Sequence, residues 1–325
     1  MKLLALLTFL FLPPPAQDLT YLVLQKAASS LAYYTPEGKV MATVPVGQHP
    51  HEMAFSPDRR YLYVTDNGTM RIEHAGKGGN TISIIDVAAR KKAGKISLGE
   101  YHRPHGIAVD SKTGRLAVSV ELPDQLLLVD PVKKSILKTF DTQGKTAHMV
   151  TFGPDAKWAY VSNSSSGNVA AINLESGETK LIATAERPEG SVLSKDGKEL
   201  YVANREASSI SVIDTSQQRV TGNIQTGKGP VRIDITPDGS TLVYALMHDR
   251  MVGFADAKAR KQTGLVKLGG QPVSLHLSRD GNLAFASAEE QDTVYVISVP
   301  DRKLVREIKT RKGSGPDPVM AIGAK

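Results

Sequence analysis

The sequence predicts an all-β protein: a seven-bladed β-propeller of four-stranded antiparallel blades, closed by a C-terminal strand that completes the N-terminal blade. Three observations carry that expectation. A strand–turn–strand phrase recurs six times along the chain. Each recurrence is followed by a second pair of strands, with no helical periodicity of any length between them. The two termini hold the complementary parts of one further unit.

The phrase appears first as AFSPDRRYLYV (54–64) and returns as AVDSKTGRLAV (108–118), TFGPDAKWAYV (151–161), VLSKDGKELYV (192–202), DITPDGSTLVY (234–244) and HLSRDGNLAFA (276–286). The first gap is 54 residues and the later ones are 43, 41, 42 and 42, the period of a four-stranded propeller blade. In each copy an apolar run meets a Pro-Asp, Lys-Asp, Arg-Asp or glycine-containing turn. A β-branched or aromatic run with alternating apolar residues follows. Stretches such as TISIIDVAARKKAGKISLG (81–99) and SISVIDTSQQRVTGNIQTG (209–227) then add a third strand, a polar turn and a fourth. The strands of each unit are designated A to D in order.

The seventh unit is split. YLVLQKAASSLAYYTPEGKVMATVPVG (21–47) supplies B, C and D with no A before them, and DPVMAIG (317–323) reads as an A strand with nothing after it. Joining them closes the ring and removes the exposed sheet edges of an open array.

Before the first repeat, Lys2 is followed by an apolar run from Leu3 to Leu12 and then by Pro13, Pro14, Pro15 and Ala16. This is the pattern of a secretory signal peptide over residues 1–16, with residues 17–325 forming a single propeller domain. The apolar run is about half the ~20 residues a membrane-spanning helix needs. The expected location is therefore periplasmic or extracellular, with no transmembrane segment in the mature chain.

The chain contains no cysteine, which excludes disulfides, cysteine-ligated zinc, iron–sulfur clusters and covalently attached c-type haem. The formal net charge is +7. Its densest basic stretches, ARKKAGK (89–95), KARKQTGLVK (258–267) and DRKLVREIKTRKG (301–313), interleave apolar residues. They read as solvated outer strands whose lysines deter edge pairing rather than as a nucleic-acid surface.

The segments YLYVTDNGT (61–69), WAYVSNSSSGNVAAINLESGE (158–178) and ELYVANREASSISVIDTSQQRVTGNIQTG (199–227) resemble the YVTN family of β-propeller repeats, within the wider WD40/YVTN-like superfamily. The Tyr-Val-x-Asn element is clearest at Tyr160–Asn163 and Tyr201–Asn204 and degenerate near Leu22, Leu116, Leu242 and Ala284. The resemblance covers essentially the whole mature chain. It implies the propeller fold and an exported, surface-layer-type protein, in a family of mixed functions.

Strand direction orients the loops. If A runs from one face to the other, every D-to-A junction and every B-to-C loop lies on the same face, the top. Three residues before the start of each recurring phrase stand His51, His105, His148, Glu189, Val231 and Val273, with Val319 as the matching residue of the closing strand. Proline precedes this position in every copy but one, where Ala147 stands; it sets the geometry at which the innermost strand begins. The column itself is uneven, four chemically active side chains facing three valines.

Three imidazoles and a carboxylate are a common shell for a divalent metal. Two readings stay open for this cluster: a site for one zinc or copper ion made of His51, His105, His148 and Glu189, or a solvated channel mouth whose histidines hydrogen-bond to water and neighbouring loops. Around it His49, Glu52, His74, His102 and Arg232 are expected to contribute to ligand binding, His74 from the long glycine-bearing B-to-C loop DNGTMRIEHAGKGGN (66–80). Glu121, Arg205 and His248 are expected near the top ends of B strands. Trp158 and His276 are expected to be structural, the latter with its hydrogen bonds met.

Two functions stay open. One is a binding or scaffold module whose top face and channel mouth take a cell-envelope protein, a glycan or a small ligand. The other is a metal-dependent propeller enzyme: the Pro-His-Gly at 104–106 is similar to the blade starts of propeller lyases and lactonases, and propeller histidines hold copper in nitrous oxide reductase. No nucleophile elbow, phosphate loop or HExxH motif is present. An apolar wall opposite the histidines suits a small ligand with one coordinating end.

Overall fold

The computed structural model of the protein describes residues 19–71 and 73–323; the signal peptide expected at residues 1–16 lies outside them. The described residues form seven four-stranded antiparallel sheets, six of them built from consecutive strands. In the seventh, the C-terminal strand Pro316–Ile322 pairs with Thr20–Gln25, which continues into Ser30–Tyr34 and Val40–Pro45. This split sheet is blade 1, and blades 2 to 7 follow in chain order. Among the described residues no helix is long and apolar enough to cross a membrane.

The blades are held by the apolar side chains pressed between neighbours. Leu22, Leu31 and Tyr33 of blade 1 pack with Met53, Leu62 and Val64 of blade 2. On the other side of blade 1, Tyr21, Val23 and Val319 pack with Phe285 and Val294 of blade 7. The Tyr21 and Phe285 ring centres are 5.0 Å apart. Each fully buried side chain of this kind contributes about 1.5–3 kcal/mol, so the terminal strand is part of a core and not an appendage.

Exposure rises from the axis outward. B and C strands are buried almost throughout, whereas D strands such as Lys91–Ser97 and Lys303–Lys309 bury a single residue near their ends. The three basic stretches therefore fall on D strands and the turns that flank them, as the sequence predicts. Trp158 is half-buried against the cluster shared by blades 4 and 5.

The innermost strands fix the functional geometry. They begin at Pro50 in blade 2, His102 in blade 3, Ala147 in blade 4, Pro188 in blade 5 and Pro230 in blade 6. In these five strands the pairing register shifts within the residues that follow the junction, for example between Pro50 and Met53 and between Ala147 and Val150. Such a bulge leaves residues unpaired in the ladder and re-aims their side chains. His51, His105, His148, Glu189 and Val231 all lie inside it.

Candidate functional site at the channel mouth

The bulges free backbone N–H groups that must find partners, and B-strand hydroxyls supply them. Glu52 N donates to Thr65 Oγ1 at 2.9 Å and Gly106 N donates to Ser119 Oγ at 2.9 Å. Thr65 Oγ1 in turn donates to the His105 carbonyl at 2.8 Å, and Ser119 Oγ donates to that of His148. Each hydroxyl thus satisfies its own bulge and ties it to the next blade. Thr65, Ser119 and Ser162 occupy the same place in the three histidine-bearing blades. Gly106 is needed for the close approach, since a Cβ there would lie 2.6 Å from the His148 carbonyl oxygen.

The result is a stack of imidazoles. His51 and His105 ring centres are 4.5 Å apart at 74°, and those of His105 and His148 are 3.9 Å apart at 43°. All three rings and Glu189 are buried. His51 Nε2 is 2.8 Å from the Thr69 carbonyl oxygen, His105 Nδ1 is 2.6 Å from Glu121 Oε1, and His148 Nε2 is 3.1 Å from Glu189 Oε2. Glu189 Oε1 accepts from Ser164 Oγ at 3.2 Å and lies 3.4 Å from Arg205 Nη1. Burial holds His51 and His148 well below the usual imidazole range, and neighbouring positive charge, from Lys26 and His105 respectively, acts in the same direction.

One residue beyond the column, Glu52 and Arg232 meet across the channel, Oε1 to Nη2 at 2.7 Å, both side chains buried. Lys26 lies 3.6 Å from Glu289 and 3.7 Å from Asp317. Burial raises the Asp317 carboxyl to about 6 in spite of Lys26.

These groups face a cavity of about 210 Å³. The column contributes His51, His105, His148, Glu189, Val231 and Val273 to its lining, so the expected polar side and apolar side share one space. The long blade 2 loop closes over it: Met70, Arg71 and Glu73 line the cavity, and Arg71 Nη2 reaches Glu290 Oε1 of blade 7 at 2.9 Å. Arg103 holds the loop from below, its guanidinium donating to the carbonyls of His74 and Gly76.

Of the residues expected around the metal site, Arg232 lines the cavity but is bonded to Glu52, which does not. His49 Nδ1 is 3.3 Å from the Lys26 carbonyl and His102 Nδ1 is 3.4 Å from that of Gly78, while His74 is exposed. None of these three histidines lines the cavity. Among the described residues, no group of three or more His, Asp or Glu side chains is arranged as it stands to hold a metal ion. The His276 Nε2 atom is buried without a hydrogen-bond partner among the described residues, so the expectation that its bonds are met fails.

Among the lining residues that escape a reading confined to the column are Lys26, Arg187 and Asp317. Arg187 and Asp317 stand immediately before the junction prolines Pro188 and Pro318, where His49 and Arg103 stand in their own blades. His49, Arg103, Thr146 and Arg187 all adopt left-handed φ values, between 41° and 60°. The signal was present in this second column, two positions ahead of the first.

A sequence profile of the YNCE-like β-propeller family matches residues 8–274. The chain belongs to the YNCE-like β-propeller family. This YNCE-like propeller is also similar to several solved structures. A protein of unknown function from Desulfotomaculum acetoxidans aligns with a TM-score of 0.79 at 14% identity, over 94% of this chain and 99% of that one. Hydrazine synthase from Kuenenia stuttgartiensis gives 0.72 at 17% identity, over 91% and 99%. The dihydro-heme d1 dehydrogenase NirN, in complex with DHE, gives 0.66 at 16% identity, over 90% of this chain and 64% of that one. At these identities the likeness is one of fold. No curated protein matches the YNCE-like chain in sequence.

Proposed function

We propose that this propeller is a binding module of the cell envelope whose channel mouth takes a small anionic ligand, one with a carboxylate or similar oxyanion and at least one hydroxyl or amine. The observation that carries this reading is a set of buried polar atoms without partners around one cavity. Arg187 Nε, His148 Nδ1 and Asp317 Oδ1 have no hydrogen-bond partner among the described residues, and all three residues line the same space. Buried polar atoms left unpaired cost about 1–3 kcal/mol each, and a ligand that pairs them recovers that cost on binding.

The charges favour an anion. Arg232 is neutralised by Glu52, Arg205 faces Glu189, and Lys26 lies between Glu289 and Asp317. Arg187 makes no ion pair among the described residues, which leaves its planar guanidinium fork for a carboxylate or phosphate. The cavity is below the ~300–1,000 Å³ of drug-sized pockets, so the ligand is a compact one, held against Val231, Val273 and Met247. The apolar leader-like segment at residues 1–16 supports the envelope location.

The test is a thermal-shift screen of hydroxy acids, amino acids, sugar acids and sugar phosphates, followed by calorimetry on the best compound. The reading predicts one-to-one binding that weakens at least tenfold in Arg187→Ala. Failure of every compound to raise Tm, or equal binding by Arg187→Ala, would reject it.

A further inference from the structure

The hydrogen-bond partners of the three imidazoles determine where their remaining lone pairs lie. A carbonyl oxygen can only accept, so His51 Nε2, 2.8 Å from the Thr69 oxygen, carries its hydrogen, and Nδ1 is the free nitrogen of the neutral ring. By the same reasoning the carboxylates of Glu121 and Glu189 place the hydrogens of the neutral rings on His105 Nδ1 and His148 Nε2. The free nitrogens are then His51 Nδ1, His105 Nε2 and His148 Nδ1. The first two face each other at 3.4 Å, and the third is buried with no partner among the described residues. Two opposed lone pairs at that distance repel unless a cation lies between them.

We infer that His51 Nδ1, His105 Nε2 and His148 Nδ1 form a three-histidine site for a borderline divalent transition metal, with its open coordination position toward the channel-mouth cavity. The spacing fits: two nitrogens about 2.0–2.1 Å from zinc at a tetrahedral angle lie about 3.4 Å apart. The outer partners fit as well, since a metal-bound imidazole characteristically donates its other N–H to a carboxylate or a carbonyl. His51 and His105 already have the required separation, and the metal engages His148 when that ring turns its free Nδ1 onto the shared point. Glu189 changes role relative to the sequence expectation. Both its oxygens are occupied, by His148, Ser164 and Arg205, so it orients a ligand instead of being one.

Arg232, Arg205 and Lys26 are each opposed by carboxylates. This inference goes beyond anion binding through Arg187, although an anion held there would face the open coordination position.

The experiment uses the mature chain stripped with a chelator, titrated with Co²⁺ by visible absorption and with Zn²⁺ by chelator competition, while the imidazole nitrogens are followed by long-range ¹H–¹⁵N NMR. One equivalent is expected, with ligand-field bands of a four- or five-coordinate centre and perturbation confined to His51, His105 and His148. His105→Gln with His148→Gln should abolish uptake, and Glu189→Gln should weaken it by about 10- to 100-fold while keeping the stoichiometry. Absence of saturable uptake, unchanged uptake by a folded double variant, or shifts only at His49, His74 or His102 would overturn the site. If the double variant unfolds, the wild-type NMR result decides alone. A proton shared between His51 and His105 with no response to metal also overturns it. Anion binding is measured separately on metal-free protein, so failure here leaves that reading standing.

Discussion

Glu52 and Arg232, 180 residues apart in the chain, share a buried contact across the propeller axis, in which Arg232 Nε and Nη2 both donate to Glu52 Oε1, at 3.1 Å and 2.7 Å. The pair braces blade 2 against blade 6, one residue beyond the column. It also removes from the cavity a cation and an anion that sequence reading assigned to ligand binding. Breaking a buried pair leaves the surviving charge without compensation, at a cost of about 3–5 kcal/mol. Arg232→Met should therefore lower stability by that amount in urea unfolding, and Glu52→Leu combined with it should recover most of the loss. Additive losses in the double variant would show that the two residues act separately.

Gly106 sets the distance between blades 3 and 4. A methyl group at this position would lie 2.6 Å from the His148 carbonyl oxygen and 2.9 Å from Met149 Cα, both backbone atoms that cannot swing aside. Gly106→Ala should cost about 1–3 kcal/mol as an overpacked contact and should spread the His105 and His148 rings. The check is chemical denaturation together with the ring-current shifts of both imidazoles; wild-type stability and unchanged shifts would refute it.

Acidification should destabilise the metal-free protein. His51 and His148 are depressed by burial and return to about 6.5 when the chain unfolds. Below that pH the unfolded state binds more protons than the folded state, so the stability these groups allow at neutral pH is lost as pH falls. The slope is at most about 1.4 kcal/mol per pH unit for each histidine. Asp317 opposes them, because its carboxyl is raised from 3.8 to about 6 and the folded state holds an extra proton between those values. Two histidines outweigh one aspartate, so Tm should fall from pH 7 to pH 5. Asp317→Asn should steepen the fall and His148→Gln should flatten it. A Tm that is level or rises on acidification would contradict the assignment.

Closure of the ring by the C-terminal strand should govern cooperativity. Val319 is fully buried in the cluster shared by blades 7 and 1. An aspartate there would place a charge with no partner in a core. Val319→Asp should broaden the thermal transition and expose blade 1 amides to hydrogen exchange ahead of those in blades 3 to 5. A single sharp transition at the original Tm would refute this.

The architecture was legible because propeller blades announce themselves locally. Pro-Asp and glycine turns mark each A-to-B hairpin, and apolar alternation marks each strand. The column was legible for a related reason: the alternation of strand direction alone brings the D-to-A junctions, with Pro50, His51 and their counterparts, to one end of the ring, with no knowledge of contacts. Side-chain pairing was not legible, since Glu52 finds Arg232 only through the ring curvature accumulated over four blades. Arg187 was missed because its column, two positions ahead of the first, is not uniform in space: His49 and Arg103 share its left-handed backbone yet do not line the cavity. The His-to-Glu hydrogen bonds that fix each tautomer depend on ring rotations that no spacing encodes.

The account rests on the channel mouth being a place where something binds. Long-range ¹H–¹⁵N NMR of the histidines, recorded while metal-free protein is titrated with the anion that stabilises it most, tests this directly. The account predicts a saturable one-to-one shift of His148 Nδ1, with His49 and His74 unmoved. A stabilising anion that leaves His148 unchanged, or that shifts the outer histidines instead, would contradict it.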